Sequence, residues 1–168
     1  KDMEINVWDR IIAFEGRMHE FIKAAYDYQD NTFHSHPGYY IDYFEMRLAQ
    51  LQVLHNLHYE IKKIRKMPKQ ALVIADYIMY MADYVVEMNI PDQQIEKLEE
   101  ISEQMKQEEL PKTREEFEGR ALLYHILMDL EEFLVYKKRF VNGLDEKKLR
   151  IYWKQEMEQK DSANELQK

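Results

Sequence analysis

The chain has 168 residues, of which 45% are hydrophobic, and a formal net charge of −8 at pH 7. That length fits one domain with a single core, and the negative charge excludes nucleic acid as a general partner because the two polyanions would repel each other. The sequence contains no cysteine, which excludes disulfides, zinc thiolate sites and thiol nucleophiles. Gly and Pro are few, whereas residues that favour helices are abundant. The composition therefore predicts an all-α domain.

The first two predicted helices cover residues 2–29 and about 35–66. Both show apolar residues at steps of three and four, the period of an amphipathic helix. The second begins with Pro37 in its first turn, where the missing N–H does no harm. The predicted apolar stripe of the first helix is Val7, Ile11, Phe14, Met18, Phe21, Ile22 and Ala25. That of the second is Tyr40, Phe44, Leu48, Leu51, Leu54 or His55, His58 and Ile61.

A third helix is predicted over about 68–88 and a shorter fourth over 91–108. Each begins at a proline, Pro68 or Pro91, because the residue before a proline is pushed out of the α region and ends the preceding segment. The fourth helix has the weakest hydrophobic pattern. Its predicted apolar edge is Ile95, Leu98, Ile101 and Met105.

A fifth helix is predicted over about 113–141, within and after the segment LPKTREEFEGRALLYHILMDLEEFL (110–134). Thr113 and Glu116 form the capping-box pattern, in which each side chain satisfies a free backbone N–H at the start of a helix. Acidic residues in the first turns also suit the positive end of the helix dipole. The acids therefore have a structural explanation, and the predicted core stripe is Leu123, Leu127, Leu130 and Leu134.

Long helices joined by short breaks predict an antiparallel up-and-down helical bundle with four long helices and one shorter helix. We assign residues 1–141 to the bundle domain. Residues 142–168 form a charged C-terminal tail that is predicted to begin as a short helix containing Leu149, Trp153 and Met157 and then to fray.

The histidines do not form a recognisable metal site. A di-iron carboxylate bundle needs Glu-x-x-His on two helices, and that pattern does not occur in the sequence. The pairs His34/His36 and His55/His58 offer two nitrogens each, whereas a stable site needs roughly three or four ligands. We therefore predict no metal and no cofactor.

The predicted fifth helix places Glu118, His125, Asp129 and Glu132 on one side. His125 and Asp129 are one turn apart and suit an acid–base pair. The alternative is a solvated face with a local ion pair, which we favour because no nucleophile motif or glycine-rich phosphate loop accompanies them. We therefore predict that the chain is not an enzyme.

Tyrosines at positions 77, 80 and 84 fall on one stripe of the third predicted helix. The simpler interpretation places these rings at the rim of the core with hydroxyls reaching water. The alternative is a pocket between helices for a planar molecule, in which the hydroxyls and a nearby basic residue such as Arg120 set its orientation. The candidate ligand-binding residues are Tyr77, Tyr80, Tyr84, Arg120, Tyr124 and His125.

No apolar stretch approaches the roughly 18 residues that would cross a bilayer. The basic run KKIRKMPK (62–69) complements a helix C-terminus, with contact to lipid headgroups as the alternative. The chain begins with Lys1 where an initiator Met would stand, so we expect it to be part of a longer protein.

Residues 110–134 resemble the characteristic segment of the C-terminal domain of a bacterial family of aromatic acid exporters. The resemblance implies an accessory domain that follows an N-terminal membrane domain of the same polypeptide and lies at the cytoplasmic face of the cell membrane. It would act by sensing a ligand, such as an aromatic acid whose carboxylate Arg120 binds, or by helix-mediated assembly, including assembly into a homo-oligomer. The alternative is a free-standing bundle that binds a small molecule or a metal.

Overall fold

The computed structural model describes residues 37–65 and 68–153, together with eight separate positions at 9, 13, 16, 17, 19, 20, 23 and 24. Regular structure within these residues is helical, and they contain no strand, which confirms the predicted all-α class. The eight early positions are helical and exposed. The apolar stripe predicted for the first helix, the pair His34/His36 and residues 154–168 lie outside the described residues.

Within residues 37–65 and 68–153 five helices are defined, and the first four correspond to the predicted second to fifth helices. They are α1 (Pro37–Lys62), α2 (Ala71–Ala82), α3 (Asp92–Lys106), α4 (Arg114–Asn142) and α5 (Glu146–Tyr152). The predicted bounds of α1, α3 and α4 agree with these to within a few residues. α2 is shorter than the predicted 68–88, because the chain leaves it through tight turns in which Tyr84 N donates to Met81 O and Val85 N donates to Ala82 O.

The start of α4 carries the predicted cap. Thr113 is extended, with φ −122° and ψ 159°, and its side chain accepts a hydrogen bond from the Glu116 amide at 3.1 Å. The Glu116 carboxylate accepts from the backbone N–H of Lys112 at 2.8 Å, one residue before the N–H that a standard capping box would use. The acids of this turn stabilise the helix end, as predicted.

α1 and α4 form the main helix pair of the described chain. The Tyr39 ring lies 5.5 Å from the Phe140 ring, and farther along α1 the Gln50 amide donates to the carbonyl of Phe133 at 2.7 Å. Residue numbers rise along α1 as they fall along α4, so these two helices run antiparallel. The up-and-down order of the whole bundle remains a prediction.

The buried side chains form two clusters. The first cluster is mainly aliphatic and draws on α1 to α4; it includes Leu57, Ile78, Leu98, Leu123, Leu127, Leu130 and Leu134. It confirms the predicted core stripe of α4. The second cluster is largely aromatic and lies where the start of α1, the end of α4 and the residue after α5 meet; it comprises Tyr39, Tyr43, Phe44, Met46, Phe140 and Trp153.

The apolar stripe predicted for α1 is confirmed at buried positions such as Phe44 and Leu54, but it is wrong at one position and incomplete. Leu48, assigned to the core, is 45% exposed, whereas Arg47 and Gln50 are each only 1% exposed. These two polar side chains occupy core positions because their hydrogen-bonding groups have partners inside the protein. A stripe drawn through apolar residues alone therefore misses the polar part of the buried face.

The C-terminal segment begins with a short helix, as predicted. α5 contains Leu149, and Trp153 directly after it is fully buried in the second cluster. Met157, the third residue assigned to this helix, lies outside the described residues. The division of the chain at residues 141/142 remains a prediction.

Candidate functional site

The three tyrosines of the predicted stripe lie side by side in very different surroundings. The ring centroids of Tyr77 and Tyr80 are 6.0 Å apart, and those of Tyr80 and Tyr84 are 4.9 Å apart. Tyr77 is buried, Tyr80 is half-buried, and Tyr84 is exposed beyond the end of α2. The simpler prediction, rings at the rim with hydroxyls in water, is therefore wrong for Tyr77.

Gln94 of α3 connects two of these rings. The Tyr77 hydroxyl donates to the Gln94 backbone carbonyl at 2.7 Å, and the Gln94 side-chain amide donates to the Tyr80 hydroxyl at 3.3 Å. Burial raises the pKa of Tyr77 above its ordinary value, with a further increase from nearby Tyr80. The Lys97 ammonium lies 3.8 Å from the centre of the Tyr80 ring. These contacts fix α2 against α3 and give the stripe a structural role.

Arg120 lies elsewhere and lines a separate cavity. This cavity of about 450 Å³ lies where the residues before α2, the connection between α3 and α4, and the first turns of α4 meet. One Arg120 nitrogen donates to the backbone carbonyl of Glu109, and the other is 3.7 Å from the Glu108 carboxylate. The full lining is Pro68, Lys69, Gln70, Glu108, Glu109, Leu110, Lys112, Glu115, Glu116 and Arg120.

A second, much smaller cavity of about 10 Å³ lies beside Tyr84, with room for about one water molecule. The six predicted ligand-binding residues are therefore not assembled around one cavity. Arg120 lines the larger cavity and Tyr84 the smaller, while Tyr124 is half-buried and packs against the first cluster. Ligand binding by this set remains a prediction.

His125 and Asp129 form the predicted pair on α4, with Nδ1 and Oδ2 separated by 3.8 Å. Glu118, His125 and Glu132 are exposed, as a solvated face requires. The prediction of a solvated face is wrong for Asp129, whose side chain is only 14% exposed. Burial raises the pKa of Asp129, while the neighbouring His125 lowers it.

Sequence reasoning missed a buried polar network beside the second cluster. Arg47 donates to the Tyr43 hydroxyl at 3.1 Å, the Gln50 side-chain carbonyl at 2.8 Å and the Val86 backbone carbonyl at 3.0 Å. Lys137, also buried, donates to the Val86 backbone carbonyl at 3.2 Å and to the Glu87 backbone carbonyl. Two cations from α1 and α4 thus hold the connection between α2 and α3.

Aromatic side chains extend this network to the end of the described chain. The Trp153 indole donates to the Tyr39 hydroxyl at 3.0 Å, which in turn donates to the Glu87 carboxylate at 2.8 Å. Burial raises the pKa of Tyr39 and raises that of Tyr43 to about 12, where Arg47 opposes the shift. Both hydroxyls therefore remain protonated at neutral pH; that of Tyr39 donates to Glu87, and that of Tyr43 accepts from Arg47. The high tyrosine content was the available sequence signal.

The described residues contain no group of three or more His, Asp or Glu side chains that could hold a metal ion. None of the described helices is both long enough and apolar enough to cross a membrane.

Comparison with known proteins gives three findings. The family model described as "Putative aromatic acid exporter C-terminal domain" matches residues 3–138. The uncharacterized protein YqjA of Bacillus subtilis (strain 168) is 32% identical over 98 residues, which are 58% of this chain and 30% of that protein. The chain thus spans less than a third of the length of this relative.

A solved structure, described as a putative membrane protein from Clostridium difficile 630, has a similar fold. It superposes with a TM-score of 0.61 at 21% identity, covering 82% of this chain and 89% of that chain. At this level of identity, the likeness is evidence of a shared fold and not of a shared activity.

Proposed function

Because this chain belongs to the family of exporter C-terminal domains just described, we propose that it is the cytoplasmic accessory domain of a bacterial membrane exporter and that it regulates export by sensing a ligand. The observation that carries the proposal is the family match over residues 3–138, which includes α1 to α3 and most of α4. Its main partner is the N-terminal membrane domain of the same polypeptide. The greater length of the Bacillus subtilis relative supports this arrangement, since the match covers only 30% of that protein.

The larger cavity supports ligand sensing in place of a purely structural role. Its volume of about 450 Å³ falls in the range of roughly 300–1,000 Å³ that small-molecule sites occupy. It presents the guanidinium of Arg120 beside the apolar Pro68 and Leu110, which suits a small acid with an apolar body. An aromatic acid has this chemistry.

Efflux from bacterial cells tests this function. Cells carrying the full-length exporter, or the same protein truncated before this domain, are loaded with 4-hydroxybenzoate, and the rate of its appearance outside is followed at several loading concentrations. We expect the intact protein to show a threshold in rate that the truncated protein lacks. Equal rates and equal concentration dependence in the two proteins would contradict a regulatory role.

A second candidate function, helix-mediated assembly, is favoured by the outer face of α4. Phe117 and Met128 are 63% and 64% exposed and are eleven residues apart, three turns along the same face. Such a face suits contact with the membrane domain or with a second copy of this chain. Light scattering of the chain, with Phe117→Gln as the variant, measures this: a dimer that the substitution dissociates supports assembly, and a monomer in both excludes a homo-oligomer formed through this face.

A further inference from the structure

One carboxylate oxygen in the larger cavity accepts a hydrogen bond from an amide and forms an ion pair with a guanidinium. Gln70, just before α2, donates its side-chain amide to Oε2 of Glu108. The same oxygen lies 3.7 Å from a guanidinium nitrogen of Arg120 on α4. An amide and a guanidinium that converge on one carboxylate oxygen are the groups with which proteins hold the carboxylate of a ligand. Here the carboxylate belongs to the protein itself.

Arg120 is well fixed, whereas Glu108 is easily displaced. The Arg120 side chain is 19% exposed and is also anchored to the backbone carbonyl of Glu109. Glu108 is 44% exposed and lies in the connection after α3, which ends at Lys106. A rotation of the Glu108 side chain into solvent would expose both donors without moving a helix.

The other acids near this position have donors of their own. The Glu109 carboxylate lies 3.2 Å from the Lys112 ammonium, and the Glu116 carboxylate accepts the Lys112 backbone N–H at 2.8 Å. The lining contains three basic side chains and four carboxylates. Displacement of Glu108 leaves three of each, so one bound monocarboxylate restores the charge that the cavity has with Glu108 in place.

The rest of the cavity defines the body of the ligand. Pro68 and Leu110 line it with apolar surface, and Leu110 is highly exposed, which leaves apolar area for a ligand to cover. The volume of about 450 Å³ is larger than an inorganic anion requires. The chemistry therefore fits a small carboxylic acid with one apolar ring or chain.

We propose that Gln70 and Arg120 bind the carboxylate of such an acid and that Glu108 occupies the same position when no ligand is present. The inference rests on the proposed ligand-sensing function and names its site. Ligand binding exchanges one carboxylate for another and releases Glu108, so the connection between α3 and α4 loses a contact with both α2 and α4. This release is the structural change that a membrane domain would detect.

Calorimetric titration of the 168-residue chain with benzoate at neutral pH tests the exchange. Glu108→Gln removes the competing charge with little change in shape. If Glu108 holds the site in most molecules, its loss should tighten benzoate binding by about threefold to tenfold, since apparent affinity scales with the fraction of competent protein. Arg120→Gln and Gln70→Ala should each weaken binding, the former by at least about tenfold because it loses a charge-assisted contact.

Matched controls separate this site from general electrostatics. Glu103→Gln on α3 makes the same charge change at an exposed residue that pairs with Lys106 and should leave benzoate affinity unchanged. Benzamide, with the same ring and no charge, should bind Glu108→Gln no more tightly than wild type. Circular dichroism tests whether each variant is folded. If Arg120→Gln does not fold, Gln70→Ala serves as the variant that tests the site.

Two results would overturn the proposal. If benzoate binds the wild-type chain and the substitutions at Gln70, Glu108 and Arg120 leave its affinity unchanged, the sensing site lies elsewhere and the proposed function stands. If millimolar benzoate and decanoate, a ring and a chain of the inferred class, both fail to bind even Glu108→Gln, this site is wrong. The efflux comparison then decides the proposed function independently.

Discussion

The first and second clusters bury their side chains by different means. In the first, Leu57 and Leu130 are completely buried among other aliphatic residues, where any side chain of suitable volume can stabilise the core. In the second, the Lys137 ammonium lies 5.5, 5.6 and 5.3 Å from the ring centres of Tyr43, Phe140 and Trp153. A buried cation requires specific acceptors and ring faces, so the second cluster tolerates fewer alternatives.

The difference has a consequence for the connection between α2 and α3. Aliphatic packing holds helices together but does not hold a loop, whose carbonyls need donors. Arg47 and Lys137 supply these donors to Val86, from two different helices. The polar network beside the second cluster therefore positions this connecting segment as well as the helices.

The largest expected effect is in the first cluster. Leu130→Ala should lower the free energy of unfolding by about 2–5 kcal/mol, because it removes buried surface and leaves a cavity. Chemical denaturation followed by circular dichroism measures the change. Met128→Ala on the same helix is the control, since Met128 is largely exposed and its loss should cost about 0.5 kcal/mol or less. Equal costs for the two variants would mean that α4 does not present the face described here.

The second-largest effect is expected from a substitution in the polar network beside the second cluster. Arg47→Met keeps approximate length but leaves the Gln50 side-chain oxygen without its donor and the Val86 carbonyl with Lys137 as its remaining donor. The free energy of unfolding should therefore fall by about 3 kcal/mol. Hydrogen exchange at residues 83–91 should accelerate as well, because the connection loses an anchor. Leu130→Ala should not cause this local change.

Arg139→Met on exposed α4 surface provides the matched control for Arg47→Met and should be nearly neutral. A variant Arg47→Met that is as stable as wild type would show that apolar packing replaces the buried cation without loss, as occurs for some buried ion pairs. The contrast between the clusters would then be one of composition only.

The same contrast explains how much of the fold could be predicted from the sequence. The α4 stripe through Leu123 and Leu130 was found because apolar residues recur there at helical spacing. The α1 stripe was incomplete because two of the buried positions of α1 are Arg47 and Gln50, whose burial depends on acceptors from residues far away in sequence. Periodicity contains no information about such partners.

The candidate site was predictable only in part for the same reason. Arg120 was identified as a carboxylate-binding residue from its type and its place on the helix, and it does line the larger cavity. Its neighbours Gln70 and Glu108 are 50 and 12 residues away in the chain, so no local pattern links them to it. The end of α2 at Ala82 likewise depends on tertiary contacts of the following segment.

A smaller effect is expected from a local interaction outside both clusters. Thr113→Ala should lower stability by about 1 kcal/mol, because the Glu116 amide loses its acceptor at the start of α4. Thr113→Ser keeps the hydroxyl and should retain most of the stability that the cap contributes. Thermal unfolding of the three proteins distinguishes them. An unchanged melting temperature for Thr113→Ala would show that water replaces this cap and that α4 is held by long-range packing alone.

The smallest effect should have the opposite sign. Unlike Arg47, Asp129 has a polar atom that is buried without a hydrogen-bond partner: among the described residues, nothing donates a hydrogen bond to its Oδ2 atom. Burial is the largest cause of its raised pKa; the carboxylates of Glu132 on α4 and Glu60 on α1 raise it further, and His125 opposes them. The charged form is thus disfavoured in the folded state, and Asp129→Asn should raise the melting temperature at neutral pH.

The pH dependence of that gain follows from the direction of the shift. Because the folded pKa lies above the ordinary value of 3.8, the folded state binds the proton more tightly, and stability falls as pH rises from 3.8 through the folded pKa. The loss of stability caused by the ionised Asp129 is complete above the folded pKa and absent below 3.8. The stabilisation by Asp129→Asn should therefore shrink as the pH is lowered. Glu131→Gln, an exposed acid on the same helix, should show no such gain. A stabilisation by Asp129→Asn that is equal at pH 4 and pH 7 would indicate that lost charge is not its cause, and that the amide has found a partner that the carboxylate lacks.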